Sequence, residues 1–243
     1  FTTAGDVTST TGNVTVTGNY LGGVDTVGAI TLDAGTTINA GSGTITMAAP
    51  EDITLTGLST TNTTTSAVSI TSTAGKLIDA GDAATDIVAN GVGARTTLSA
   101  VTGIGTAGAI DTQIANLVAT NSGTAGNIEI NETDALVIRN AAQTNAGTST
   151  GNIDITAAGA VTVEATGTGG TGVTIDGLAA SAGSITLAAT GTGNSLSVAH
   201  SVTSKAGAIT LRGGDNVSFT TAGDVTSTTG NVTVTGNYLG GVD

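Results

Sequence analysis

A five-residue phrase governs what this chain can fold into: Gly, a small or polar residue, Ile or Val, a polar residue, then an apolar one. It reads GNVTV at 12–16, GAITL at 28–32, GTITM at 43–47 and GNIEI at 126–130. It returns as GNIDI at 151–155, GAVTV at 159–163, GSITL at 183–187 and GAITL at 207–211. Apolar residues on every second position, many of them β-branched, put one face of an extended segment against a core, and the leading Gly marks a turn. Looser versions fill the intervals: EDITL (51–55), SAVSI (66–70), TDIVA (85–89), DALVI (134–138), NSLSV (194–198) and DNVSF (215–219). No stretch combines a 3.6-residue period with helix caps, so the spacing predicts an all-β chain.

Short strands separated by tight Gly turns suit a parallel β-solenoid that coils around a narrow core. Two immunoglobulin-like sandwiches would also supply many strands, but they lean on large buried aromatics. This chain has no Trp, two Tyr and two Phe. Small aliphatic interiors favour the thin coil. At about 20 residues per turn, 218 residues make about 11 turns, and a spacing of about 4.8 Å per strand advances them by roughly 50 Å.

The 25 letters FTTAGDVTSTTGNVTVTGNYLGGVD occur as residues 1–25 and again, unchanged, as residues 219–243. Residues 1–218 are therefore expected to be one full repeat of a continuous solenoid, and 219–243 the start of the next identical one. Neither end looks like the polar cap of a finished solenoid, so the coil is expected to be uncapped at both. The front shows no starting Met and no leader pattern, as in the interior of a mature polypeptide. The two copies should share one conformation, displaced along a single axis, with adjacent identical repeats stacked head to tail.

Composition narrows the function classes. There is no Cys, so neither disulfides nor thiolate metal sites contribute. Eighteen Asp and Glu against five Lys and Arg give a net charge of −13, which argues against a nucleic-acid partner. No apolar run is long enough for a membrane span. Gly- and Thr-rich texture can signal disorder, but 38% of the residues are apolar and they alternate.

Tracts such as VTSKAGAITLRGGDNVSFTTAGDVTSTTGNVTVTG (202–236) and NLVATNSGTAGNIEINETDALVI (116–138) resemble the repeat regions of filamentous-haemagglutinin-like giant bacterial exoproteins. The resemblance is one of texture and covers the whole chain. It implies a right-handed parallel β-helix in a secreted adhesin or cell-surface fibre, with cell-surface or matrix glycans as candidate partners. The secretion domain and receptor-binding region of such proteins have no counterpart here.

The chemical candidates are few. GTGGTG (167–172) spells a dinucleotide fingerprint, which requires a helix next, whereas VTIDG (173–177) reads as a strand. His200 is the single histidine, and no nucleophile-elbow pattern accompanies it. Acids gather at Asp79, Asp82 and Asp86, and at Glu129, Glu132 and Asp134. These are candidate Ca²⁺ ligands, although neither group has a calcium-loop spacing, and a solvated face is the alternative. A polysaccharide-cleaving β-helix needs acids grouped with cations. Lys76, Arg95, Arg139, Lys205 and Arg212 stand singly, so no catalytic residue and no cofactor is expected. Sequons at Asn13, Asn62, Asn131, Asn216 and Asn231 follow from the composition. Thr-x-Thr pairs at Thr15/Thr17, Thr44/Thr46 and Thr54/Thr56 raise an ice-binding or carbohydrate-binding solenoid as the alternative function. The uneven strand spacing is expected to break such ladders.

Overall fold

In the computed structural model, residues 2, 5–19, 27–145, 147–164, 172–175 and 181–237 are described. The alternating phrases form short strands, such as Ile45–Ala49, Val68–Ser72, Ile128–Glu132 and Ile185–Ala189, and every registered pairing between strands is parallel. The chain coils as a β-solenoid of about eight turns. Its strands make a ten-stranded, a twelve-stranded and a three-stranded sheet. Among the described residues there is no helix, and so none long and apolar enough to cross a membrane.

The inward residue of each phrase stacks on its counterpart one turn away. One such column runs Ile30, Ile53, Leu77, Ile104, Ile128, Ile153, Ile185, Ile209 and Val232. From Ile53 to Ile209 these side chains are fully buried. Each buried Ile or Leu contributes about 1.5–3 kcal/mol, and the column repeats that gain on every turn. Among the described residues no aromatic ring is buried; Phe219 is 48% exposed.

Turns are longer than the sequence suggested, and the count is correspondingly lower than eleven. Asn131 meets Asp111, 20 positions away, whereas Asn194 meets Ala158, 36 positions away. Loops between the strands absorb the difference, since lengthening a surface loop costs little chain entropy, while the stacked strands keep their register.

The leading glycine does more than turn the chain. A Cβ on Gly151, Gly183, Gly207 or Gly230 would collide with the carbonyl oxygen of Gly126, Gly151, Gly183 or Gly207, respectively, one turn before. The corner is a column of glycines packed backbone on backbone. Beside it, buried polar side chains bind the corner backbone: Ser72 Oγ donates to the Glu51 carbonyl at 2.7 Å, and Ser204 Oγ to that of Gly183 at 3.2 Å.

Where both are described, over residues 5–19 and 223–237, the two copies share their local structure. Val7–Thr8 and Val14–Thr17 are strands, as are Val225–Ser227 and Val232–Thr235. Gly12 N–H donates to Ser9 Oγ, and Gly230 N–H to Ser227 Oγ, both at 2.9 Å. Asn19 and Asn237 both turn left-handed, at φ 57° and 48°. The copies are not related by a simple shift along the axis, however. Val14 heads the column of Ile45, Val68, Thr96 and Leu117, whereas Val232 ends the column of Ile209. The uneven turns bring the second copy round onto a different face.

Gly183→Ala should destabilise the fold by about 2–3 kcal/mol, because the added methyl has backbone on the opposing side and cannot be accommodated by a rotamer change. Urea unfolding followed by circular dichroism measures it, and an unchanged midpoint would contradict the close-packed corner.

Candidate functional site

The residue before each strand carries a role that sequence reading missed. At six such positions occupied by Asn or Asp, the side-chain oxygen accepts the backbone N–H of the equivalent residue on the following turn. Asp6 accepts from Thr37 at 2.8 Å, Asn13 from Thr44 at 3.0 Å, and Asp52 from Lys76 at 3.0 Å. Asp86 accepts from Asp111 at 2.9 Å, Asn127 from Asn152 at 3.0 Å, and Asn152 from Ser184 at 2.9 Å. These bonds extend the ladder past the strand end, where a backbone donor would otherwise lose its partner. The signal was present in the phrases GNVTV, GNIEI and GNIDI, whose second letter is Asn.

The acids singled out above occupy three kinds of place. Asp79 Oδ1 accepts from the Gly81 N–H at 2.8 Å, closing a turn. Asp82 holds the Ala84 N–H at 2.8 Å and the Thr56 hydroxyl at 3.0 Å. Asp86 is fully buried, and its Oδ1 has no hydrogen-bond partner among the described residues. Glu129 is partly exposed and accepts from Asn127 Nδ2 at 2.6 Å. Glu132 is buried, and accepts from Thr112 Oγ1 at 2.8 Å and from the N–H groups of Ile114 at 3.0 Å and Asp134 at 3.1 Å. Asp134 Oδ2 accepts from Gln113 Nε2 at 3.3 Å. Among the described residues no group of three or more acids or histidines is arranged to hold a metal ion.

Burial dominates the electrostatics of these groups. It pushes the Asp86 carboxyl from 3.8 up to about 8, against the opposing bond from Asp111 N–H and with help from the charges of Asp79, Asp111 and Asp82. Burial likewise raises Glu132 from 4.5 to about 7, although its bonds from Thr112, Asp134 and Ile114 favour the anion. Asp154 is raised by burial and by the neighbouring Glu129 charge, with Arg212 opposing. A neutral Asp86 leaves no buried negative charge on an oxygen that has no donor facing it among the described residues.

The cations and the single histidine have the following partners. Arg139 pairs with Glu164 at 3.4 Å and donates to Asn116 Oδ1 at 2.9 Å; Arg95 donates to the Thr65 carbonyl at 3.1 Å. His200 Nδ1 lies 3.1 Å from the hydroxyl of its sequence neighbour Ser201, its only hydrogen-bond contact among the described residues. A triad needs a third group to orient the base. Residues 167–171 of GTGGTG lie outside the described residues, and the strand Gly172–Ile175 follows them where a nucleotide site would need a helix.

One hydroxyl column, in contrast, runs unbroken over four strands despite the uneven spacing. On the outward side of the twelve-stranded sheet, Thr15, Thr46, Ser69 and Thr97 stack in one column, followed by Val118. Two residues along each strand, Thr17, Ala48, Thr71, Ser99 and Thr120 make a second column. The result is a grid with spacings of about 4.8 Å along the axis and about 6.7 Å along the strands. The three Thr-x-Thr pairs do not stack on one another, as the uneven spacing led one to expect: Thr15 lies on Thr46 but Thr17 on Ala48, and Thr54 belongs to the three-stranded sheet, opposite Thr31 and Ile78.

No family model, no curated protein and no solved structure matches the chain.

Stability should fall as pH rises from about 4 to about 8. Over that window the folded Asp86 and Glu132 keep protons that the unfolded chain has released, so raising the pH favours unfolding until the folded groups also ionise. The total is on the order of a few kcal/mol. Asp86→Asn should flatten much of this dependence. Urea midpoints at pH 5 and pH 9 measure it, and equal midpoints for the wild-type chain would contradict the buried neutral carboxyls.

Proposed function

We propose that this chain is a structural and adhesive segment of a long repetitive extracellular fibre or cell-surface filament, of the filamentous-haemagglutinin-like kind, and that it carries out no catalysis. The observation behind this reading is the continuous aliphatic column from Ile30 to Val232, which makes the coil a rod along its described turns. Repeats of identical sequence stack head to tail, and the net charge of −13 keeps the rods apart in solution. Cell-surface or matrix glycans are the partners this reading assigns to the exposed faces. Purified protein should bind cells, matrix or glycan arrays without turning over polysaccharides. Turnover that is lost on mutating a single acid would overturn the reading, and absence of binding on all three surfaces would remove its adhesive half.

A second reading is supported by the column of Thr15, Thr46, Ser69 and Thr97 beside that of Thr17, Ala48, Thr71, Ser99 and Thr120. An uncharged, hydroxyl-rich array at regular spacing can order water as an ice surface does. On this reading the chain produces thermal hysteresis, and Ser69→Tyr, which raises a ring from the centre of the grid, abolishes it. No hysteresis in the wild-type chain excludes ice binding.

A further inference from the structure

Residues 5–19 and 223–237 are one sequence seen from opposite sides. In the first occurrence the following turn lies on it. Val14 pairs with Ile45 and Val16 with Met47. Asp6 and Asn13 accept the N–H groups of Thr37 and Thr44, and Gly43 packs against the Gly12 carbonyl with no room for a Cβ. In the second occurrence the preceding turn lies under it. Val225 pairs with Val202 and Val232 with Ile209, Gly230 packs on the Gly207 carbonyl, and Ser227 Oγ donates to that same oxygen at 2.9 Å. The segment therefore carries a complete set of contacts for both sides of an interior turn.

What the second occurrence lacks is what the first one has. Val232 and Val234 are each 45% exposed, whereas the equivalent Val14 is 8% exposed. The side chains of Asp224 and Asn231, equivalents of Asp6 and Asn13, make no hydrogen bond among the described residues.

We infer that this rung is the seat for a segment with the sequence of residues 26–49, and that the solenoid passes into its next unit rotated onto another face. This rests on the repetitive-fibre reading and specifies the junction within it. Val14 is followed in its column by Ile45, so Val232 is followed by the next unit's equivalent of Ile45. That residue extends the column of Ile128, Ile153, Ile185 and Ile209, which is not the column Ile45 occupies in the present unit. One unit thus spans a non-integral number of turns.

The rotation has a consequence for the surface. Thr186, Thr210 and Thr233 stack in one outward column. Thr233 is the equivalent of Thr15, which is followed by Thr46, Ser69 and Thr97. The hydroxyl column that closes one unit therefore runs straight into the column that opens the next. Successive units present their Ser/Thr grids on different sides of the rod, each grid extended across a junction.

Because the chain has no Cys, single thiols report on this directly. In the 243-residue chain, Val234→Cys should react readily with a maleimide; with the sequence of residues 26–72 appended after Asp243, its rate should fall at least about tenfold as the new turn covers it. Protection in the 243-residue chain that grows with concentration would assign the covering segment to a second copy instead of a continuing chain, with the same seat. Thr233→Cys should form a disulfide with a Cys at the position of Thr46 in the appended segment, since neighbouring strands of about 4.8 Å spacing lie within disulfide reach. Ser218→Cys should not. Equal thiol reactivity with and without the appended segment, or cross-linking at 218 in place of 233, overturns the junction. Surface binding by a chain whose thiol stays reactive would overturn the junction and leave the fibre reading intact; a protected thiol with turnover on polysaccharide would do the reverse.

Discussion

A backbone bond from one turn to the next, such as Ile53 N–H to the Lys76 carbonyl at 2.9 Å or Ile153 N–H to that of Ser184 at 2.9 Å, sets the distance at which everything else must fit. Strands bonded in this way lie about 4.8 Å apart. A side chain pointing inward then meets its counterpart from the neighbouring turns above and below, so like packs on like. Ile on Ile and Leu on Leu fill such a column without voids, and an aromatic ring would have to fit within a core shared by three sheets. The same spacing forces the corners to approach backbone to backbone, which is why glycine follows glycine from 126 through 151, 183 and 207 to 230.

Polar groups obey the same constraint. Each turn must hand its backbone donors to the neighbouring turn, and at strand ends the ladder runs out of carbonyls. Asn and Asp side chains supply the missing acceptors, as Asn127 does for Asn152 and Asn152 for Ser184. Asp86 does this from a fully buried position and is pushed up to about 8 as a result. Its perturbed titration follows from its place in the stacking scheme. Perturbed carboxyls cluster at active sites in many proteins, and here the neighbouring groups are backbone donors and turn-closing acids.

On the outside the constraint produces regularity that no individual side chain needs for stability. Thr15, Thr46, Ser69 and Thr97 line up because their inward neighbours do, and the hydroxyl grid is a by-product of core register. At these positions the surface is uncharged and repetitive.

The phrase GNIDI shows where sequence reading was sufficient. Its alternation identifies a strand with Ile153 and Ile155 inward, because a period of two depends only on the local geometry of an extended chain. The absence of large core aromatics likewise pointed to a thin coil. The length of a turn was beyond sequence reading, since loops between strands vary at small entropic cost and leave no periodic trace. For the same reason the stacking of Thr15 on Thr46, out of step with the pairs read in the sequence, shows only in the fold. The placing of Val14 and Val232, identical in sequence and surroundings along the chain, in different columns was likewise decided only by the tertiary structure. Local sequence determines that both are strands, but the column each one joins depends on the summed length of every turn between them.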